Sequence, residues 1–387
     1  MAEEQTGTPR VAVNATSLLS PLTGIGQYTR NLAQAISRRG HFDLYYFYGH
    51  GWGRNIREAP VPSIDRVKAV VKRIVPNPHE VTRWIQRLQF RRGARRFACD
   101  LYHEPSYLPL EFFGPIVNTV HDLSFMRYPE THPPLRIRFL QKHLPGVLET
   151  SNCVITDSEF VRDEVVSVFG VPPAKVYPIH LGVSAAYRPR APDETNPVLA
   201  KYGLRHGQYF LAVGTLEPRK NLIQGLRAFR SLPERLRASM PFVIVGMKGW
   251  LTEGIEAEID ALESRGQVRR LGYLATEDLL CLYAGAAMLL YPSVYEGFGL
   301  PALEAMASGI PVITSNRSSL PEVVGDVGIM IDPEDERGFA EAMHRLADDR
   351  AERATRAAAG VERARRFTWA RCAEETERVY RIALAQG

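Results

Sequence analysis

The sequence is poor in several features, each of which would have fixed its chemistry. Only four cysteines occur in 387 residues, Cys99, Cys153, Cys281 and Cys372, and no two form a C-x-x-C pair. Zinc ribbons and dithiol redox centres are thereby excluded, and the isolated thiols read as buried and free in a reducing compartment. No stretch approaches the roughly 18 consecutive apolar residues that a spanning helix needs. The opening MAEEQTGTPR is polar and carries two acids, unlike a secretory leader. A cytoplasmic protein is expected, at most peripheral to the inner face of the cytoplasmic membrane. There is no Asp-x-Asp at a strand end, no His/Cys/carboxylate cluster at ligand spacing, no G-x-S-x-G elbow and no Walker sequence. No metal or cofactor is called for. The chain has no low-complexity tract and no recognised nucleic-acid module.

What the chain does contain is a globular balance of 45% hydrophobic and 24% charged residues, at a length beyond the usual reach of one core. Apolar runs at 11–15, 43–48, 115–120, 153–156 and 175–181 alternate with amphipathic helical stretches, and the same rhythm restarts at 209–214, 242–246, 287–292, 311–314 and 328–331. Such alternation predicts an α/β fold of two doubly wound parallel-sheet domains. Between the series, Tyr187–Pro197 (YRPRAPDETNP) holds three prolines and no apolar period, as suits an exposed linker. The expected division is a first domain over 1–187, a second over 198–365, and a last helix at 366–387 that docks on a partner surface.

The net charge of +5 is unevenly spread, because Val67–Arg96 carries nine Lys/Arg against Glu80 alone. Val81, Trp84, Ile85 and Leu88 follow helical spacing there, beside a ridge of Arg83, Arg87, Arg91 and Arg95. Two readings stay open: a surface helix packed on its own domain, or a basic amphipathic helix that adsorbs to anionic lipid.

Ligands of open parallel sheets bind outside the carboxyl ends of the strands, so the loops there matter most. The densest is YEGFGLPALEAMASG, residues 295–309. Gly297 and Gly299 allow a tight loop, Pro301 suits the first turn of a helix and Gly309 ends it, which points a phosphate-attracting helix N-terminus at the cleft. Glu296 and Glu304 suit hydroxyl groups, which carboxylates recognise as strong acceptors. In LEPRKN, Arg219 and Lys220 follow the strand that ends near Gly214, where paired cations can neutralise a diphosphate leaving group. Thr23–Asn31 (TGIGQYTRN) places Gly24 and Gly26 before a helix but lacks the third glycine of a dinucleotide fingerprint, and no acid ends the second strand, so a nicotinamide dehydrogenase is disfavoured. His121 and Asp122 follow the strand at 115–120, where a histidine can orient an acceptor or bond the transferring sugar.

Taken in order, these four loops resemble those of the retaining glycosyltransferases of family 4, glycosyl transferases group 1, over nearly the whole chain. The resemblance implies the GT-B fold of two Rossmann-like domains facing across a cleft, and a metal-independent reaction that keeps the anomeric configuration. The family's two glutamates with seven residues between them are matched by Glu296, implied to bind sugar hydroxyls, and Glu304, implied to bind the nucleotide ribose. Its basic pair corresponds to Arg219 and Lys220, its glycine loop to Gly24 and Gly26, and its active-site histidine to His121. Gly214, Tyr273, Gly297, Phe298, Gly299 and Leu300 complete the implied donor site, with VRRLGY (268–273) at the base. GIGQYTRN and NRSSLPEV look most like members that use GDP-mannose in surface polysaccharide assembly such as O-antigen. The acceptor is then a lipid-linked oligosaccharide at an anionic membrane face, with Arg83, Trp84, Arg87 and Arg91 on the acceptor or membrane side. Three other readings stay open. A UDP-sugar-dependent transferase of glucose or N-acetylglucosamine would bind only UDP-sugars, an epimerase would convert a UDP-sugar without any acceptor, and a noncatalytic scaffold would bind without turnover.

Overall fold

The structure, a computed structural model, describes residues 7–19, 24–57, 78–249 and 253–387, apart from the side chains of 78–84 and of 253. Thr23, residues 67–77 of the basic segment and the side chains of Arg83 and Trp84 therefore lie outside the described residues. Two separate sheets carry the architecture. The first has seven strands in the order β3-β2-β1-β4-β5-β6-β7. These are β1 (Arg10–Asn14), β2 (Asp43–Phe47), β3 (Trp52–Gly53), β4 (Leu101–Glu104), β5 (Ile116–Val120), β6 (Cys153–Thr156) and β7 (Val176–Pro178). The second has six, in the order β10-β9-β8-β11-β12-β13: β8 (Phe210–Val213), β9 (Phe242–Val245), β10 (Val268–Gly272), β11 (Met288–Tyr291), β12 (Val312–Ser315) and β13 (Ile329–Ile331). All pairings are parallel except β2 with β3. Strands such as FLAV, FVIV and MLLY are apolar on both faces, as a sheet covered by helices on both sides requires.

In each sheet the order reverses beside the first strand, β1 against β4 and β8 against β11. Those switch points open a crevice at the strands' carboxyl ends, where the loops after β5, β8 and β11 meet. Two strands escape the apolar pattern. β4 (LYHE) buries His103 and Glu104, and β10 (VRRLG) carries two arginines.

The linker differs from expectation. Pro192–Leu199 is a helix with Thr195 and Leu199 buried, opened by Pro192 at its first position and by Glu194, whose carboxylate accepts from the Ala191 N–H at 3.1 Å. The chain then crosses between the halves a second time: the Val183 N–H donates to the Phe367 carbonyl at 3.1 Å, and Gly182 lies so close that a Cβ there would sit 2.1 Å from the Trp369 nitrogen. The last helix, Trp369–Ala385, lies against the first helix, Gly24–Arg39, and the first sheet. Tyr380 packs edge-on against Phe42 with centroids 5.3 Å apart and bonds His103 at 2.7 Å, while buried Glu377 pairs with Arg39 at 3.1 Å and His41 at 2.8 Å.

Among the described residues, the basic helix Pro78–Arg96 docks through Phe90, Gly93 and Ala94, while Leu88 of the apolar spacing is half-buried and the Val81 and Trp84 side chains lie outside the described residues. Ile85 is exposed, whereas Phe90, Gly93 and Ala94 are buried. Phe90 stacks on Trp52 and contacts Phe47 and Tyr102, and a side chain at Gly93 would overlap Trp52.

Candidate active site

The loop after β8 makes a single tight turn at Pro218–Lys220, and Asn221 follows at φ 52°, held by its side-chain amide donating to the Pro333 carbonyl at 2.8 Å. The turn aims Arg219 and Lys220 at the loop after β11. There Lys220 Nζ donates to Glu296 Oε1 at 2.7 Å and to the Tyr291 hydroxyl at 2.9 Å. Arg219 Nη1 donates to Glu296 Oε2 at 3.2 Å and to the Tyr295 carbonyl at 3.1 Å, and its Nε to Glu217 Oε2 at 2.9 Å. The Nε and Nη1 donors of the guanidinium are thus engaged, and among the described residues no hydrogen bond is formed by Nη2. Glu296 is 5% exposed and Glu217 7%. Burial alone would raise the Glu296 carboxyl, but Lys220 and Arg219 outweigh it and hold it below the usual carboxylate range. Burial lowers the Lys220 ammonium, with Glu296 opposing. Both cations keep hydrogen-bonding capacity toward the crevice, since an ammonium has three donors and a guanidinium five.

Glu304 lies one helix turn deeper, in Leu300–Ala307, and accepts from the Tyr283 hydroxyl at 2.8 Å. Burial pushes its carboxyl up to about 7, opposed by the hydroxyls of Tyr283 and Tyr187. Gly299 caps this helix at φ 105°, a conformation that favours glycine.

His121 behaves differently from expectation. Its Nδ1 meets Asp157 Oδ2 at 2.8 Å and its Nε2 the Pro105 carbonyl at 2.7 Å. The carbonyl can only accept, so Nε2 carries a proton, and Nδ1 shares one with the Asp157 carboxyl. Burial works against the charge, but the Asp157 carboxylate and the carbonyl raise the imidazole above its ordinary value. No ring nitrogen remains to bond a sugar or take a proton. Instead the backbone of His121 abuts the glycine loop, for a Cβ on Gly297 would fall 1.9 Å from its carbonyl oxygen.

A loop of paired cations and a buried glutamate, set between two doubly wound sheets, is the arrangement that comparison with known proteins explains. The family model described as Glycosyl transferases group 1 matches residues 200–363, and Glycosyltransferase Family 4 matches residues 22–187. O-antigen chain mannosyltransferase B of Escherichia coli is 35% identical over 369 residues, 94% of this chain and 97% of that protein. The chain belongs to the family-4, group 1 glycosyltransferases. Its fold, GT-B, is shared with sucrose-phosphate synthase of Thermosynechococcus elongatus, at a TM-score of 0.75 and 21% identity over 98% of this chain and 100% of that one. It is also shared with Anabaena HepE in complex with UDP and glucose, at a TM-score of 0.73 and 16% identity over 96% and 99%.

In this glycosyltransferase the remaining residues singled out from the sequence are dispersed. Gly214, at φ 147°, lies beside Lys220 in the crevice after β8, lined also by Thr215, Tyr291 and Pro292. Gly24 and Gly26 do not precede the first helix but form its opening turn, and Gly26 is buried. Leu300 begins the second-domain helix and is partly buried. Tyr273 stands 60% exposed just past β10. Phe298 is buried and packs on Phe367 and His180, so its side chain makes core contacts. Arg87 is exposed, and Arg91 pairs with Glu111 at 3.1 Å and lies over the Phe113 ring at 4.8 Å.

Several site residues had no signal in the sequence. Glu217, Tyr291 and Asp157 are single polar residues near strand ends. NRSSLPEV is explained by position: Ser318 Oγ accepts from the Glu296 N–H at 2.9 Å, Ser319 Oγ donates to the Glu296 carbonyl at 2.9 Å, and Glu322 accepts from the N–H groups of Glu159 and Phe160 across the cleft. Among the described residues, no group of three or more His, Cys, Asp or Glu is placed to hold a metal ion, and no helix is long and apolar enough to cross a membrane.

Proposed function

We propose that this glycosyltransferase moves a mannosyl residue from GDP-mannose, with retention of configuration and without a metal, onto a lipid-linked O-antigen or related polysaccharide precursor. The observation that carries the reading is the Arg219–Lys220–Glu296 clamp at the crevice of a chain similar, over 94% of its length, to an O-antigen chain mannosyltransferase. The diphosphate takes the free Nη2 edge of Arg219 and the remaining Lys220 proton, and these cations stabilise the charge that grows on the departing phosphate. Glu296, already fixed as a carboxylate, accepts from sugar hydroxyls, and Glu304 from the ribose. With no basic side chain free at His121, the acceptor hydroxyl attacks on the face the phosphate leaves and passes its proton to that phosphate oxygen. His121 serves by holding its backbone against Gly297. The acceptor approaches from the first domain, whose basic helix, with Arg87 and Arg91 outward, faces the anionic lipid.

The test is calorimetric titration of GDP-, UDP- and dTDP-sugars with a chelator present, followed by NMR assignment of the product's anomeric configuration. Binding confined to UDP-sugars would overturn the donor, an inverted product the mechanism, and binding without turnover on any mannose-containing acceptor the enzyme itself.

The Glu304 carboxyl adds a pH signature. It is ionised, and acceptor-only, above about 7 and protonated below. GDP-mannose affinity is expected to weaken as pH falls from about 8 to about 6, by up to tenfold per unit below the pKa. Glu304→Gln should bind more weakly at pH 8 and show a flat profile; a flat profile in the unaltered protein would refute the ribose assignment.

A further inference from the structure

The helix Glu159–Phe169 belongs to the first domain, yet its cap and three residues along it touch the donor-side domain. Its cap Ser158 donates Oγ–H to the Gly297 carbonyl at 2.8 Å. The N–H groups of Glu159 and Phe160 donate to the Glu322 carboxylate at 2.9 and 3.3 Å. One turn on, buried Glu164 accepts from the Tyr295 hydroxyl and, on its other oxygen, from Arg127 Nε at 2.6 Å. Tyr295 is 3% exposed although it comes from the opposite domain. Its ring lies between Tyr128 and Phe160, and its hydroxyl also accepts from the Leu123 N–H at 2.9 Å.

Tyr295 is bound at both ends. Its carbonyl accepts from Arg219 Nη1, and the next residue is Glu296. A movement that withdraws the Tyr295 ring from the first domain therefore pulls on the peptide that sets Arg219 and Glu296. It also leaves the Glu164 carboxylate buried with one donor fewer, which is costly for a charge.

We propose that Tyr295 is a positioning residue for sugar transfer, its hydroxyl bond to Glu164 and Leu123 making apposition of the two domains and final alignment of the Arg219–Glu296 clamp a single event. The kinetic side of this inference rests on the transferase reading above; the structural side does not.

The first amides of a helix have no acceptor within it, so protection of Glu159 and Phe160 from hydrogen exchange depends on Glu322 of the other domain. Tyr295→Phe keeps the ring and removes only the hydroxyl. Loss of a hydrogen bond to a charged group is worth about tenfold to a hundredfold in an equilibrium. Exchange at Glu159 and Phe160 should therefore speed up about tenfold or more in Tyr295→Phe, with the helix Trp369–Ala385 unchanged. With GDP-mannose and acceptor, kcat should fall about tenfold to a hundredfold while KM for the donor stays within about threefold. Glu164→Gln should act in the same direction, and the double variant should be no worse than the more impaired single, because both remove one interaction. Unchanged exchange, or a loss confined to donor affinity, would overturn the inference. If no protein turns over GDP-mannose, the donor reading fails while the exchange result still decides the coupling.

Discussion

Arg219→Ala is expected to lower kcat/KM for sugar transfer about a thousandfold, the scale observed when one preorganised donor is removed from a site of developing charge. Three acceptors, from Glu217, Tyr295 and Glu296, hold the guanidinium by its Nε and Nη1 groups, so the Nη2 group is pre-positioned for the diphosphate. An ammonium cannot satisfy three acceptors on one side and a phosphate on the other, so Arg219→Lys should recover less than about a tenth of the loss. GDP affinity should fall as well, but less than kcat, since the charge on the departing phosphate exceeds that on the bound donor. Steady-state kinetics beside GDP titration separates the two. Near-normal turnover in Arg219→Ala would remove this residue from the mechanism.

A change of one methyl group should be almost as damaging. In Gly297→Ala the new carbon would lie 1.9 Å from the His121 carbonyl oxygen and 3.1 Å from Asp122 Cβ. The first is a backbone carbonyl and the second a Cβ fixed to the same stretch of backbone, so nothing flexible can move aside. The domains must separate by an ångström or more, and misplacement of that size can cost about a hundredfold in rate. Every residue of the clamp lies in the second domain, so GDP should bind within about threefold of normal. The expected result is a protein that holds nucleotide and hardly turns over, read by the same pair of measurements. Turnover at the ordinary rate would show that close approach of Gly297 to His121 is not needed.

The fold was legible because glycine and proline punctuate it and because most strands are continuous apolar runs. β4 and β10 were not, since His103, Glu104, Arg269 and Arg270 interrupt the run and their burial or pairing depends on partners far along the chain. His103 is accommodated by Tyr380 and Thr119, and Glu104 by Asn14, Tyr102 and Ser106. In the site, Glu296 and the cations were each visible in their own loops, but not their mutual contact, which spans 76 and 77 positions. His121 was visible as a histidine at a strand end. What it does was not, because the two acceptors that occupy its ring, Asp157 and Pro105, lie on other strands' loops. Phe298 sits in the most informative motif yet faces the core, a reminder that a motif fixes the path of a loop before it fixes where each side chain points.

The return of the final helix to the first sheet has a consequence for biosynthesis. Phe42 and His103 leave the ribosome early, but their partner Tyr380 is made 277 positions after His103. At about 5 to 20 residues per second, the roughly 200 residues of the second half take about 10 to 40 s to emerge. For that interval the nascent first half displays an uncovered apolar face, while the second half can close its own core as soon as it is free. The part synthesised first is thus the part completed last, and chains truncated before Tyr380 should be retained by chaperones rather than accumulate as active enzyme.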